Sequence, residues 1–136
     1  MPLTDKALEL IADAIIGGTA FARFDGVNAH LGVGNGTTAF ARTQTDLQGS
    51  SKVRKPMDAG FPLRGALIDG EQRGPNEITF QATFGTGDAN FDWREWGVFN
   101  AAAGGQMLNR VVENLGTKTS AATWQFLVDV AFVHGA

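Results

Sequence analysis

The chain has 136 residues, 43% hydrophobic and 18% charged, with a formal charge of −3. That length suits one domain, 1–136, with enough apolar side chain for a core and too little charge for a disordered chain. The acidic balance argues against a nucleic-acid partner, the lack of cysteine rules out disulfides and thiolate chemistry, and no apolar run approaches the roughly 20 residues of a membrane span.

Segment 2–18 reads as an N-terminal helix. Thr4 is placed to cap it, Asp5 to meet the positive end of the helix dipole, and Leu3 and Leu8 to form a hydrophobic staple. Leu8, Ile11, Ala12 and Ile15 follow the spacing of one buried face, and Gly17 and Gly18 end the helix. Leu10 and Ile16 fall off that stripe and are candidate contacts with a neighbouring subunit.

The rest, 19–136, reads as strands and turns. Residues 20–24 are short and apolar. Val27, Ala29, Leu31 and Val33 alternate with polar or small residues, and Asn35-Gly36 is a type I′ turn pair. Segment 45–57 is a polar edge strand or arm, and 69–76 a polar loop. Ile78, Phe80, Ala82 and Phe84 form a half-buried strand. Strands at 92–99 and 107–113 follow, joined through 101–105. The last strand, 121–133, points Trp124, Phe126, Val128, Val130 and Phe132 one way. One helix before about seven strands, with a turn every 8–15 residues, predicts a mainly β fold, an antiparallel β-sandwich or barrel.

Chemistry-bearing patterns are sparse. The glycines at 32, 34 and 36 lack the Lys-Ser/Thr and helix of a phosphate loop, and read as a strand end and turn. Asp88-Ala89-Asn90-Phe91-Asp92 opens like a calcium loop, but Trp93 and Phe99 stand where Gly and Glu are needed, so a turn is expected. His30 and His134 are isolated, and no nucleophile elbow is present. Lys52, Arg54 and Lys55 read as a solvated strand flank. Glu95 stands between Trp93 and Trp96, an environment that can raise a carboxyl's pKa. The plainer reading gives Glu95 and Arg94 opposite faces and separate hydrogen bonds or interface ion pairs. Strict alternation puts Trp93 and Trp96 on opposite faces, so at most one fills the core and the other is a surface anchor or interface residue. Phe91, Trp93, Trp96 and Trp124 could instead stack on a sugar. The reading is therefore no enzyme, no cofactor and no metal, with Leu10, Ile16, Arg94, Glu95 and Trp96 as interface candidates.

The run Leu31-Gly32-Val33-Gly34-Asn35-Gly36-Thr37-Thr38-Ala39, followed by Thr45-Asp46-Leu47, resembles small virion proteins of tailed bacteriophages. Further matching pieces are Ala82-Thr83-Phe84, Asp88-Ala89-Asn90, Arg94-Glu95-Trp96-Gly97-Val98-Phe99, Leu108-Asn109-Arg110 and Lys118-Thr119. They run in order from about residue 3 to 133. Trp96 before Gly97 and the longer segment 56–75 depart from that pattern. The resemblance implies a non-enzymatic structural protein in the virion, assembled in the host cytoplasm, whose partners are other virion proteins. The chain stops directly after its final strand, so a stand-alone module is expected: a capsid cement or decoration subunit, as a homotrimer. Loops 34–57 and 56–76 would be its arms. The alternatives are a tail, baseplate or fibre-attachment subunit, and a carbohydrate-binding β-sandwich module.

Overall fold

The structure is a computed structural model and describes residues 3–134. Nine strands follow one helix, α1 (Asp5–Ile15): β1 (His30–Gly34), β2 (Lys52–Pro56), β3 (Leu63–Arg64), β4 (Leu67–Ile68), β5 (Glu71–Gln72), β6 (Glu77–Phe84), β7 (Asp92–Phe99), β8 (Met107–Thr117) and β9 (Trp124–Ala131). They form a larger sheet ordered β2-β1-β7-β8, a smaller sheet β3-β6-β9 and a hairpin β4-β5, all antiparallel. Neither sheet closes on itself, so the fold is mainly β and the barrel alternative falls.

The core lies between the two main sheets. Phe80, Ala82 and Phe84 of β6 and Val128 and Val130 of β9 pack toward Leu31, Val33, Trp93, Trp96 and Val98. The alternation read in β6 and β9 therefore holds. In β7 it does not. Its register with β8 is interrupted between Trp93 and Glu95, and such irregularities re-aim side chains. Both Trp93 and Trp96 turn into the core, with Phe126 at 5.4 and 6.0 Å between ring centroids. The expectation that one of the two stands at the surface is corrected: they are 1% and 7% exposed.

Several local expectations shift. Residues 20–24 form no strand. The Asp25 carboxylate accepts the amides of Val27 and Asn28, which turns the chain there, delays β1 to His30 and leaves Val27 85% exposed. Asn35 and Gly36 are not among the residues with positive φ, so they do not form a type I′ turn. Asp69 and Gly70, at φ 51° and 79°, turn β4 into β5 inside the stretch expected as a polar loop. Segment 45–57 does supply an edge strand, β2.

The caps at both ends of α1 form as read, but the helix is shorter than the expected 2–18, whose residue 2 lies outside the described residues, and Leu8 of the expected staple is 56% exposed. The Thr4 hydroxyl accepts the Ala7 amide at 3.1 Å. At the other end the Gly17 and Gly18 amides donate to Ala14 and Asp13, with Gly17 at φ 72°. The face does not match. Leu3 bridges Asn109, the Thr4 amide donates to the Leu108 carbonyl, and the Thr4 hydroxyl also donates to the Met107 carbonyl. These bonds orient α1 on β8 so that Ala7 is its buried residue, while Leu8, Ala12 and Ile15 are exposed. Thr4→Ala removes the cap and a buried side-chain bond together. It is expected to lower stability by about 1–2 kcal/mol, read as a reduced urea midpoint with unchanged slope.

Candidate functional site

Four glycines open a trough on the outer face of the larger sheet. Gly34 and Gly36 lie where a Cβ would collide with the Glu95 carboxylate, and Gly32 and Gly97 where it would collide with Phe99 and the Asn109 carbonyl. Glu95 and Arg110 lie side by side in this trough, both fully buried, with Arg110 Nε donating to Glu95 Oε2 at 2.6 Å. The same carboxylate accepts the amides of Gly36 at 3.1 Å, Gln48 at 3.0 Å and Gly49 at 2.7 Å. Arg110 Nη1 reaches Gln44 Oε1 at 3.1 Å. Loop 35–51 is thereby clamped over the sheet, with Leu47 packed among Phe99 and Met107 in a second small core. A carboxylate this enclosed positions a loop. The glycine run is thus a strand that admits a buried ion pair, and its period-two spacing with a distant Glu was the signal for it.

The interface candidates separate accordingly. Glu95 is buried beneath loop 35–51 on the outer face, whereas Trp96 faces the core, its indole donating to Glu113 at 2.8 Å. Arg94 stays at the surface beside Asp92. Leu10 is half-buried, and Ile16 is 83% exposed next to Ile15 at 79%. The loop expected as an arm at 34–57 is held down. Segment 56–76 carries β3 and the β4–β5 hairpin, where Leu67 is 66% exposed. Arg73 ties that hairpin to Asp129 of β9 at 3.2 Å, and this bond keeps the Arg73 guanidinium above its ordinary pKa.

The charged flank is internally paired. Lys52 and Arg54 both reach Asp46, Arg54 stacks on the Phe99 ring at 3.5 Å, and Lys55 meets Asp88. In the calcium-like run, Asp88 accepts the Gly85 amide, while the buried Lys118 ammonium bonds Gly85 O and Asn90 Oδ1. A lysine thus occupies the centre of that turn. Among the described residues no cluster of three or more His, Cys, Asp or Glu could hold a metal, and no hydroxyl or carboxylate bonds His30 or His134.

Burial pulls the Asp46 carboxyl up, but bonds from Lys52, the Leu47 amide and Arg54 outweigh it and hold it below the usual range. The Gly85 amide and Lys55 lower Asp88 likewise. Carboxyls with depressed folded-state values favour the fold above their unfolded value, about 3.9, and lose that contribution as pH falls through the folded value. Wild type and Asp46→Asn are therefore expected to differ in melting temperature near neutrality and to converge as the solution is acidified into that range.

An apolar cleft that the sequence did not outline opens beside β9. Trp93, Leu115, Thr123, Trp124, Gln125 and Phe126 line about 280 Å³. Of the aromatics considered for stacking, Trp124 stands at the mouth of this cleft and buried Trp93 at its base, whereas Trp96 does not line it.

Fold and site define a two-sheet β domain with one N-terminal helix, a buried ion-pair clamp and a side-opening aromatic cleft. Comparison with family models, characterised proteins and solved structures finds no match for this chain. Among the described residues, no helix is long and apolar enough to cross a membrane.

Proposed function

We propose that this protein is a non-enzymatic structural subunit of a tailed-bacteriophage particle, acting as a capsid cement or decoration protein. The observation that carries the reading is the ordered set of motifs from residue 31 to 119. The clamp gives it a physical rationale: Glu95 within Arg94-Glu95-Trp96-Gly97, the glycines of the first motif and Arg110 of Leu108-Asn109-Arg110 form one rigid unit. A cement subunit stabilises a shell by binding the assembled form better than its free parts. Such a subunit needs a stiff body with apolar contact points. Leu8 and Ile15 of α1, with Ile16 just after it, offer one such surface, assigned to the homotrimer contact, and Leu67 on the hairpin offers another toward the capsid protein.

Quantitative mass spectrometry of purified particles tests the reading. A copy number comparable to the major capsid protein is expected. A number matching a tail ring moves the protein to the tail or baseplate. Absence from particles overturns the virion reading, and glycan-array binding lost in Trp124→Ala would then support the carbohydrate-binding alternative.

A further inference from the structure

The two main sheets end in four edges, and three of them are protected. The outer edge of β2 carries Lys52, Lys55 and Pro56, residues that blunt strand pairing. β3 is two residues long and follows Pro62. The start of β8 is covered by Leu3 and Thr4, and its later half is irregular and carries Glu113 and Asn114. β9 is different. It is eight residues long, pairs regularly with β6 on one side, and has a single charged residue, Asp129, already bonded to Arg73 and Thr79. Among the described residues no backbone group bonds its other edge. A long, regular, apolar edge of this kind is a template for another strand.

The two ends of β9 are complementary to each other. At its start lies the open cleft of about 280 Å³ lined by Trp124 and Phe126. Just past its end stand half-buried Phe132 and Val133, the latter 77% exposed. They lie about 26 Å from that cleft at ~3.3 Å per residue, too far to fill it within one chain. An antiparallel two-fold pairing of two β9 strands brings the end of one to the start of the other.

We propose that β9 pairs with β9 of a second copy of this chain, antiparallel about a two-fold axis at Val128. Opposed residues must share a face, which requires the axis to fall on a residue, and Val128 is the position that sets Phe132 opposite the partner copy's Trp124. Phe126 then faces Val130, and Val128 faces itself. On the outer face Leu127 meets Asp129 and Gln125 meets Ala131, so the two Asp129 carboxylates are not opposed. Each cleft receives the other copy's Phe132 and Val133, and the smaller sheets join into one six-stranded sheet. This contact is two-fold. It is separate from the three-fold contact assigned to α1 and does not depend on the virion reading.

The absence of cysteine from the chain makes the register directly testable. Gln125 is exposed and Ala131 half-exposed on the outer face, so Gln125→Cys and Ala131→Cys leave the core untouched. An equimolar mixture, mildly oxidised, is expected to give a disulfide-linked dimer, because 125 and 131 are opposed. Gln125→Cys alone is expected to give none: the two copies of 125 are offset by about 20 Å, and a disulfide needs Cα atoms within about 7 Å. The wild-type protein is expected to show a light-scattering mass that is an even multiple of the chain, and Val133→Asp to weaken pairing at least ~tenfold. A monomer at all concentrations, or Gln125→Cys linking to itself, overturns the proposal. Unchanged pairing in Val133→Asp overturns the seating of Val133 in the cleft.

Discussion

Glu95→Ala is expected to lower stability by about 3–5 kcal/mol, the range for breaking a buried ion pair by removing one partner. The mutation leaves the Arg110 guanidinium fully buried without its carboxylate and strands three backbone amides, those of Gly36, Gln48 and Gly49. Arg110→Met is expected to do less damage. It leaves the carboxylate buried but still holding three amide donors, and it places an apolar chain of similar length in the trough. Urea midpoints rank the two variants. Hydrogen exchange adds a separate readout: protection at Gly36, Gln48 and Gly49 is expected to fall in Glu95→Ala and largely persist in Arg110→Met. Equal destabilisation with loop protection intact in both would show that loop 35–51 is held by Leu47 and Arg54 instead.

That clamp marks where the sequence was legible and where it was not. The ends of α1 were readable because capping is local: Thr4, Gly17 and Gly18 act within a few residues of themselves. The inward rows of β6 and β9 were readable because alternation is local as well. The orientation of α1 was not, because it depends on Leu3 and Thr4 bonding to residues more than a hundred positions away. The placement of Glu95 was missed for the same reason, since its partners lie at 36, 48, 49 and 110. Trp96 was misplaced because the alternation rule was carried through an irregularity that has no local sequence mark. The cleft joins β7, β8 and β9, so no single segment could announce it.

Trp93→Ala is expected to be the other large loss, also about 3–5 kcal/mol. Trp93 is 1% exposed, stands edge-on to Phe84 at 4.8 Å, Trp124 at 4.9 Å and Phe126 at 5.4 Å, and donates its indole N–H to the Ala89 carbonyl at 2.9 Å. Truncation removes three aromatic contacts and that bond. It also extends a cleft that already opens at the surface, so neighbouring strands have little reason to collapse inward. Trp93→Phe, which keeps a ring but loses the donor, is expected to recover more than half of the loss. Trp124→Ala is expected to cost less than Trp93→Ala, because Trp124 is only partly buried at the cleft mouth. The two tryptophans should therefore separate two properties. Trp93→Ala lowers the denaturation midpoint of the single chain. Trp124→Ala leaves most of that midpoint in place and weakens the pairing of β9 strands, because it removes the surface against which the partner copy's Phe132 would rest.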